Sequence, residues 1–141
     1  MINLNSRYQK GLTVNDLFPA KKGVCACDCN EPLTGKRRKW ATTSCSDSAY
    51  ISFAIVKGDT RIIRQELFTR DQGYCLNCGV FDEYWQADHK VPVHGGGGGS
   101  GLDNFQTLCV DCHQDKSADQ MRSHRKQISS QAASTLPIVR L

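Results

Sequence analysis

Between Tyr50 and Asp71 the apolar residues Ile51, Ala54, Ile55, Ile62, Ile63, Leu67 and Phe68 recur mostly three and four positions apart, the spacing that lines one face of a helix. Lys57-Gly58-Asp59 interrupts the run, so the pattern predicts two short helices joined at Gly58. Further along, the pattern changes. Apolar residues alternate or cluster around Tyr84 to Val93, glycine fills Gly95 to Gly99, and apolar positions return at Asn104 to Leu108. This reads as strand, open loop, strand. From Val110 onward β-branched residues are few, which predicts a helix carrying Cys112, His113 and Lys116. The polar, basic stretch QDKSADQMRSHRKQ continues that helix, and SSQAASTLPIVRL reads as a frayed tail with Pro137 as a breaker. At the other end, Leu12, Val14, Leu17 and Phe18 are the packing candidates of an arm over residues 1–23. There Thr13 and Asp16 have the spacing of a capping box for one helical turn.

The chain has 141 residues, 39% of them hydrophobic. That length suits one domain, or a small domain with a satellite module. The lean apolar content stabilises so small a fold weakly, and cross-links or metals are expected to assist. Eight cysteines in short clusters point to metal. No apolar run approaches the roughly 18 to 20 residues of a membrane helix, and the start MINLNSRYQKG has no secretory h-region. The expectation is a non-membrane, intracellular (cytoplasmic) protein, in a reducing compartment where cysteines hold zinc more often than they pair. The net charge of +4 permits a nucleic-acid partner without requiring one.

Cys75 and Cys78 form one CxxC and Cys109 and Cys112 another; two such hooks supply four thiolates for a tetrahedral structural zinc. Gly79, directly after the first pair, offers the positive φ that such a knuckle uses. A thiol-disulfide role would need a βαβ context that the sequence lacks. A closed four-thiolate site has no open coordination position, so this zinc is a clamp and not the catalyst. Thirty residues lie between Cys78 and Cys109, where a zinc ribbon has about 15 to 20. The insert makes the segment a ββα unit stapled by zinc.

WQADHKVPVHGGGG, GLDNFQTLCVDCHQDK and the paired CxxC resemble the HNH endonuclease family, whose fold is the ββα-metal, or His-Me finger, motif. The resemblance covers Gly73 to Lys116, with histidine, asparagine and histidine in order at His89, Asn104 and His113. WxADH, the glycine-rich loop, LDN, QTLC and CH are most similar to the branch appended to some DNA-remodelling helicases and found in free-standing bacterial and phage nucleases. The fold class it implies is α+β: a zinc-stabilised ββα-metal core at 73–118, with flanking helices and an N-terminal cysteine-rich knuckle. An arm at 1–23, the knuckle at 24–50, a helical connector at 51–72, and a basic helix and tail at 119–141 complete the expected organisation.

Phosphodiester cleavage needs an activated water, neutralisation of phosphoryl charge and support for the leaving oxygen. One hard divalent ion, magnesium or manganese, serves the last two tasks if a carboxylate and an imidazole hold it. Asp88 and His113 suit those roles. His89 follows Asp88 on the opposite strand face and is the general-base candidate; an imidazole with pKa about 6.5 is mostly neutral at pH 7 to 8. The resemblance implies that Asn104 braces the loop and orients the base, although in some relatives this position joins the metal shell. His94 reads equally as a solvent-facing, substrate-touching or ligating residue, and Asp103 as a turn residue. Phe81, Tyr84 and Trp85 are expected to pack over the zinc-held core. The glycine run is no P-loop, since no GK[ST] follows it.

Cys25, Cys27, Cys29 and Cys45 also make four, a candidate second zinc, although CxCxC is less usual than CxxC and a neighbouring residue could replace one thiol. GKRRK with Trp40 after it is similar to basic loops in knuckles that precede some HNH cores; a solvated charge run is the alternative. Arg61, Arg64, Arg70, Arg122, Arg125 and Lys126 would extend a basic surface for phosphates. The sequence therefore leads to the expectation of a metal-dependent endonuclease acting on DNA, double-stranded by preference. The alternatives are a catalytically silent zinc-stapled DNA-binding or adaptor module, and a thiol redox protein.

Overall fold

The computed structural model describes residues 11–92 and 101–133; His94, the run Gly95 to Gly99 and the end of the tail lie outside the described residues. Among the described residues, four helices and one hairpin follow in the order α1 (Val14–Leu17), α2 (Thr43–Val56), α3 (Thr60–Asp71), β1 (Gln86–His89), β2 (Phe105–Leu108) and α4 (Val110–Ala133), with a 3-10 turn at Leu102–Asn104 leading into β2. This is the expected mixture of helices with a small two-stranded sheet. No described helix is long and apolar enough to cross a membrane.

Each helix starts where the local chemistry allows. The Asp16 carboxylate accepts hydrogen bonds from the Thr13 N–H (2.7 Å) and hydroxyl (2.6 Å) and tightens α1. Thr42 caps α2, its hydroxyl oxygen accepting from the Cys45 N–H at 3.1 Å. The predicted pair of helices is present, but α2 begins at Thr43 and so takes in Cys45, upstream of the periodic region. Gly58 turns the chain with φ +81°, and the Asp59 side chain then accepts from the Arg61 and Ile62 N–H groups, both at 3.1 Å. Downstream, α4 runs without interruption to Ala133, so SSQAA is helical where a frayed tail was expected.

β1 and β2 pair antiparallel, with Gln86 opposite Leu108, Ala87 opposite Thr107, Asp88 opposite Gln106 and His89 opposite Phe105. Because side chains alternate along a strand, this register gives the hairpin two different faces. Ala87, His89, Phe105 and Thr107 share the face toward α3, where Phe105 joins Ile55, Ile63, Leu67 and Trp85 in the main core. Leu67 is fully buried, which contributes roughly 1.5–3 kcal/mol. Asp88, Gln106 and Leu108 share the other face, where Leu108 packs with Cys75, Cys109 and Cys112.

Polar contacts bind α3 to the hairpin. Arg70 grips the Asp71 carboxylate through Nε (2.7 Å) and Nη2 (2.8 Å) and also donates to the main-chain oxygens of Leu102 (3.3 Å) and Phe105 (3.0 Å). The Thr107 hydroxyl donates to the same carboxylate at 2.7 Å. Arg64 lies over the Trp85 ring, 4.0 Å from its centroid. Trp85 is buried as expected; Tyr84 and Phe81 are not, at 69% and 56% exposed. Phe81 pairs with Tyr74 through an isolated bridge and packs edge-on against its ring at 5.6 Å, and Tyr84 lies in the turn before β1.

Candidate nuclease site and its sulfur clamps

The second cysteine set closes as the CxxC spacing predicts. Cys75, Cys78, Cys109 and Cys112 have all four sulfurs within 4.8 Å of one another, and Cys78 and Cys109 are 3.7 Å apart. A zinc with bonds of about 2.3 Å needs tetrahedral sulfur separations near 3.8 Å, so this set fits the ion. Gly79 has φ +76°, and its N–H donates to the Cys75 oxygen at 2.8 Å. The knuckle is tied to the hairpin, because Leu76 N–H donates to the Thr107 oxygen at 2.9 Å. Burial pushes the Cys75 thiol up, but N–H groups and a neighbouring thiol outweigh it and bring it down to about 6.

The first set also gathers, with its four sulfurs within 4.8 Å. Its neighbouring pairs are 3.3 Å (Cys25 and Cys27), 3.1 Å (Cys27 and Cys29) and 4.0 Å (Cys29 and Cys45) apart. Burial raises the Cys25 thiol, yet the N–H groups of Ala41 and Cys27 and the adjacent thiols draw it down to about 6. Cys27 is pushed up to about 12, chiefly by its contact with Cys29. Crowded sulfurs share one negative charge readily and more only with a cation among them, which is the chemistry of a zinc ligand set.

Asp82, which the sequence reading passed over, fixes the start of α4. Its Oδ2 accepts from the Val110 N–H at 2.9 Å and its Oδ1 from the Tyr84 N–H at 2.8 Å. An acidic side chain donated from a distant turn thus satisfies a free amide at a helix start. No periodicity could have flagged it.

Asp88 and His89 end β1. Asp88 Oδ2 accepts from Gln106 Nε2 at 2.9 Å and meets the ammonium of Lys116 on α4, which also donates to the His89 main-chain oxygen. His89 turns the other way, its ring 4.2 Å from that of Phe105. Burial against this face holds the His89 imidazole below its ordinary value; Asp88 opposes the shift and Lys116 adds to it. Asn104 clamps the chain just beyond the pair. Its Nδ2 donates to the Val91 oxygen (2.9 Å) and its Oδ1 accepts from the Val91 N–H (3.0 Å), while Lys90 N–H donates to the Asn104 oxygen (2.7 Å). A side-chain amide that donates and accepts at once can do this.

His113 lies in the first turns of α4, its N–H donating to the Cys109 oxygen at 3.0 Å. The CxxC hook that begins α4 therefore sets the position of His113. Between the Asp88 face of the hairpin and α4 runs a cleft of about 540 Å³, with Gln106, Leu108, Asp115, Lys116, Asp119 and His124 in its walls. Lys116, in that wall, rests its ammonium on Asp88 Oδ2; a carboxylate oxygen is also the donor that magnesium and manganese take.

The family description "HNH endonuclease" matches residues 73–119. The human protein "DNA annealing helicase and endonuclease ZRANB3" is 49% identical over 49 residues, which is 35% of this chain and 4% of that protein. The mouse protein of the same name is 51% identical over 39 residues, 28% of this chain and 4% of its own length. The similarity thus spans a small fraction of these relatives. No solved structure matches the chain. Within residues 73–119, this chain carries a domain of the HNH endonuclease family.

Proposed function

We propose that the chain is a metal-dependent endonuclease that hydrolyses DNA phosphodiester bonds, with double-stranded DNA as its substrate. The observation that carries the reading is the end of β1, where a carboxylate and an imidazole leave on opposite faces and Asn104 braces the next residues. His89 takes the proton of the attacking water, and its depressed basicity keeps it in the neutral form that a base requires. Asp88 and His113 are the candidate ligands of one magnesium or manganese ion, which when bound would neutralise charge on the phosphoryl oxygens. Asn104 positions His89 by holding Val91, and the Cys75, Cys78, Cys109 and Cys112 zinc keeps α4 against the hairpin. Cys25, Cys27, Cys29 and Cys45 hold a second structural zinc.

A silent DNA-binding or adaptor module is the competing reading, favoured by one observation: Lys116 already sits on the Asp88 carboxylate. Nicking of supercoiled plasmid by the parent and by His89→Ala, titrated with magnesium and manganese, separates the two. Loss of a general base lowers the rate by about 10²–10⁴-fold. Equal rates would remove His89 from the mechanism, and DNA binding without nicking under any metal condition would favour the adaptor.

A further inference from the structure

Lys116 is the one cation in contact with Asp88 among the described residues. Its ammonium, on a side chain 24% exposed, meets Asp88 Oδ2, on a side chain 18% exposed, and reaches the His89 main-chain oxygen as well. Gln106 Nε2 donates to the same Oδ2 at 2.9 Å. A lysine ammonium has three donors and no acceptor, and two of them converge here on the last residues of β1. A partly buried carboxylate with no positive partner is costly. Lys116 offsets that cost and ties the end of β1 to α4, one helical turn beyond His113.

We propose that Lys116 is a displaceable counter-cation, holding Asp88 in place until a divalent ion takes over the carboxylate. This rests on Asp88 being an ion ligand. A lysine head is a compact, strongly hydrated charge on a flexible stem, and the adjoining cleft, whose wall includes Lys116, lets it withdraw without moving the backbone. The arrangement keeps the site shaped while no ion is bound, and it weakens ion binding, because an arriving dication must displace or face a positive charge beside its ligand. Lys116 is thus a positioning residue whose removal tightens ion binding while loosening the strand end.

Manganese binding to the zinc-loaded protein, followed by electron paramagnetic resonance and by the metal-induced rise in Tm, tests this without any turnover. Lys116→Met is expected to bind Mn²⁺ about tenfold more tightly than the parent and to gain more Tm from it. Lys116→Arg, which keeps the charge, should stay within about threefold of the parent. Lys116→Gln repeats the methionine test with a hydrogen-bond donor retained for the His89 oxygen, and zinc content with circular dichroism checks both folds. Parent-like or weaker Mn²⁺ affinity in folded Lys116→Met or Lys116→Gln would overturn the proposal. Asp88→Asn separates the two levels of the argument. If it binds Mn²⁺ as the parent does, the assignment of Asp88 as a ligand is wrong; if it loses the ion while the Lys116 variants match the parent, only the counter-cation role fails.

Discussion

The two cysteine quartets are alike in chemistry and differ in what they hold together. Both gather four sulfurs within 4.8 Å. The first joins Cys25, Cys27 and Cys29 to Cys45 in the opening turn of α2, and closes a small loop that is also held by the Val24–Pro32 bridge. The second joins hooks on either side of the whole hairpin, and one of those hooks begins α4. An ion in the first set orders its own knuckle. An ion in the second orders the hairpin, the start of α4 and hence Asp88, His89 and His113 relative to one another. Equal ligand counts therefore imply unequal consequences.

Serine substitutions draw this contrast out most strongly. Cys109→Ser is expected to lose one zinc, unfold residues 73–119 and abolish nicking, since metal binding and folding are one equilibrium in such modules. Cys29→Ser should also lose one zinc, yet keep the hairpin and most of the cleavage. Zinc analysis and plasmid nicking on both variants check this, and a Cys29→Ser protein that collapses as Cys109→Ser does would erase the distinction.

Leu67→Ala probes the support that α3 gives the hairpin from the opposite face. The fully buried side chain should cost about 2–5 kcal/mol in chemical denaturation, with zinc content unchanged.

A smaller effect is expected at Asp71, whose side chain is 4% exposed. The Arg70 guanidinium lowers its carboxyl most, burial raises it, and the Thr107 hydroxyl lowers it again, for a net depression. A depressed carboxyl contributes its full stability above the unfolded value of about 3.9 and loses it as pH falls through the folded value. Asp71→Asn should cost about 1–3 kcal/mol near neutrality. The gap between parent and variant should close as pH drops below about 4; a gap constant with pH would show that the charge contributes nothing.

The smallest expected change belongs to the first knuckle. Thr42→Ala removes the cap of α2 beside Cys45 and should cost about 1 kcal/mol in thermal or chemical unfolding, without affecting nicking.

The parts of the fold legible from sequence are those with local rules. CxxC spacing gave the second sulfur cluster, and apolar spacing broken at Gly58 gave two helices and the place where they join. Strand alternation put Asp88 and His89 on opposite faces before any register was known. What escaped was long-range polar contact: Asp82 capping α4, Gln106 and Lys116 converging on Asp88, and Arg70 reaching Leu102 and Phe105. Such pairs depend on which surfaces meet, and no period along the chain encodes them. Aromatic character suggests burial for Tyr84 and Phe81 as well, yet of the three only Trp85 joins the core. The beginning of α2 was missed because Thr43 to Ser48 carries no apolar stripe; its start is set by the Thr42 cap and the packing of the cysteines.

Separating the two classes of metal tests the central claim most directly. After brief EDTA treatment that leaves zinc bound, as checked by metal analysis, plasmid nicking should vanish and return on addition of magnesium or manganese, with circular dichroism unchanged throughout. Nicking that continues at the parent rate in EDTA, with zinc still in place, would contradict an exchangeable ion at Asp88 and His113.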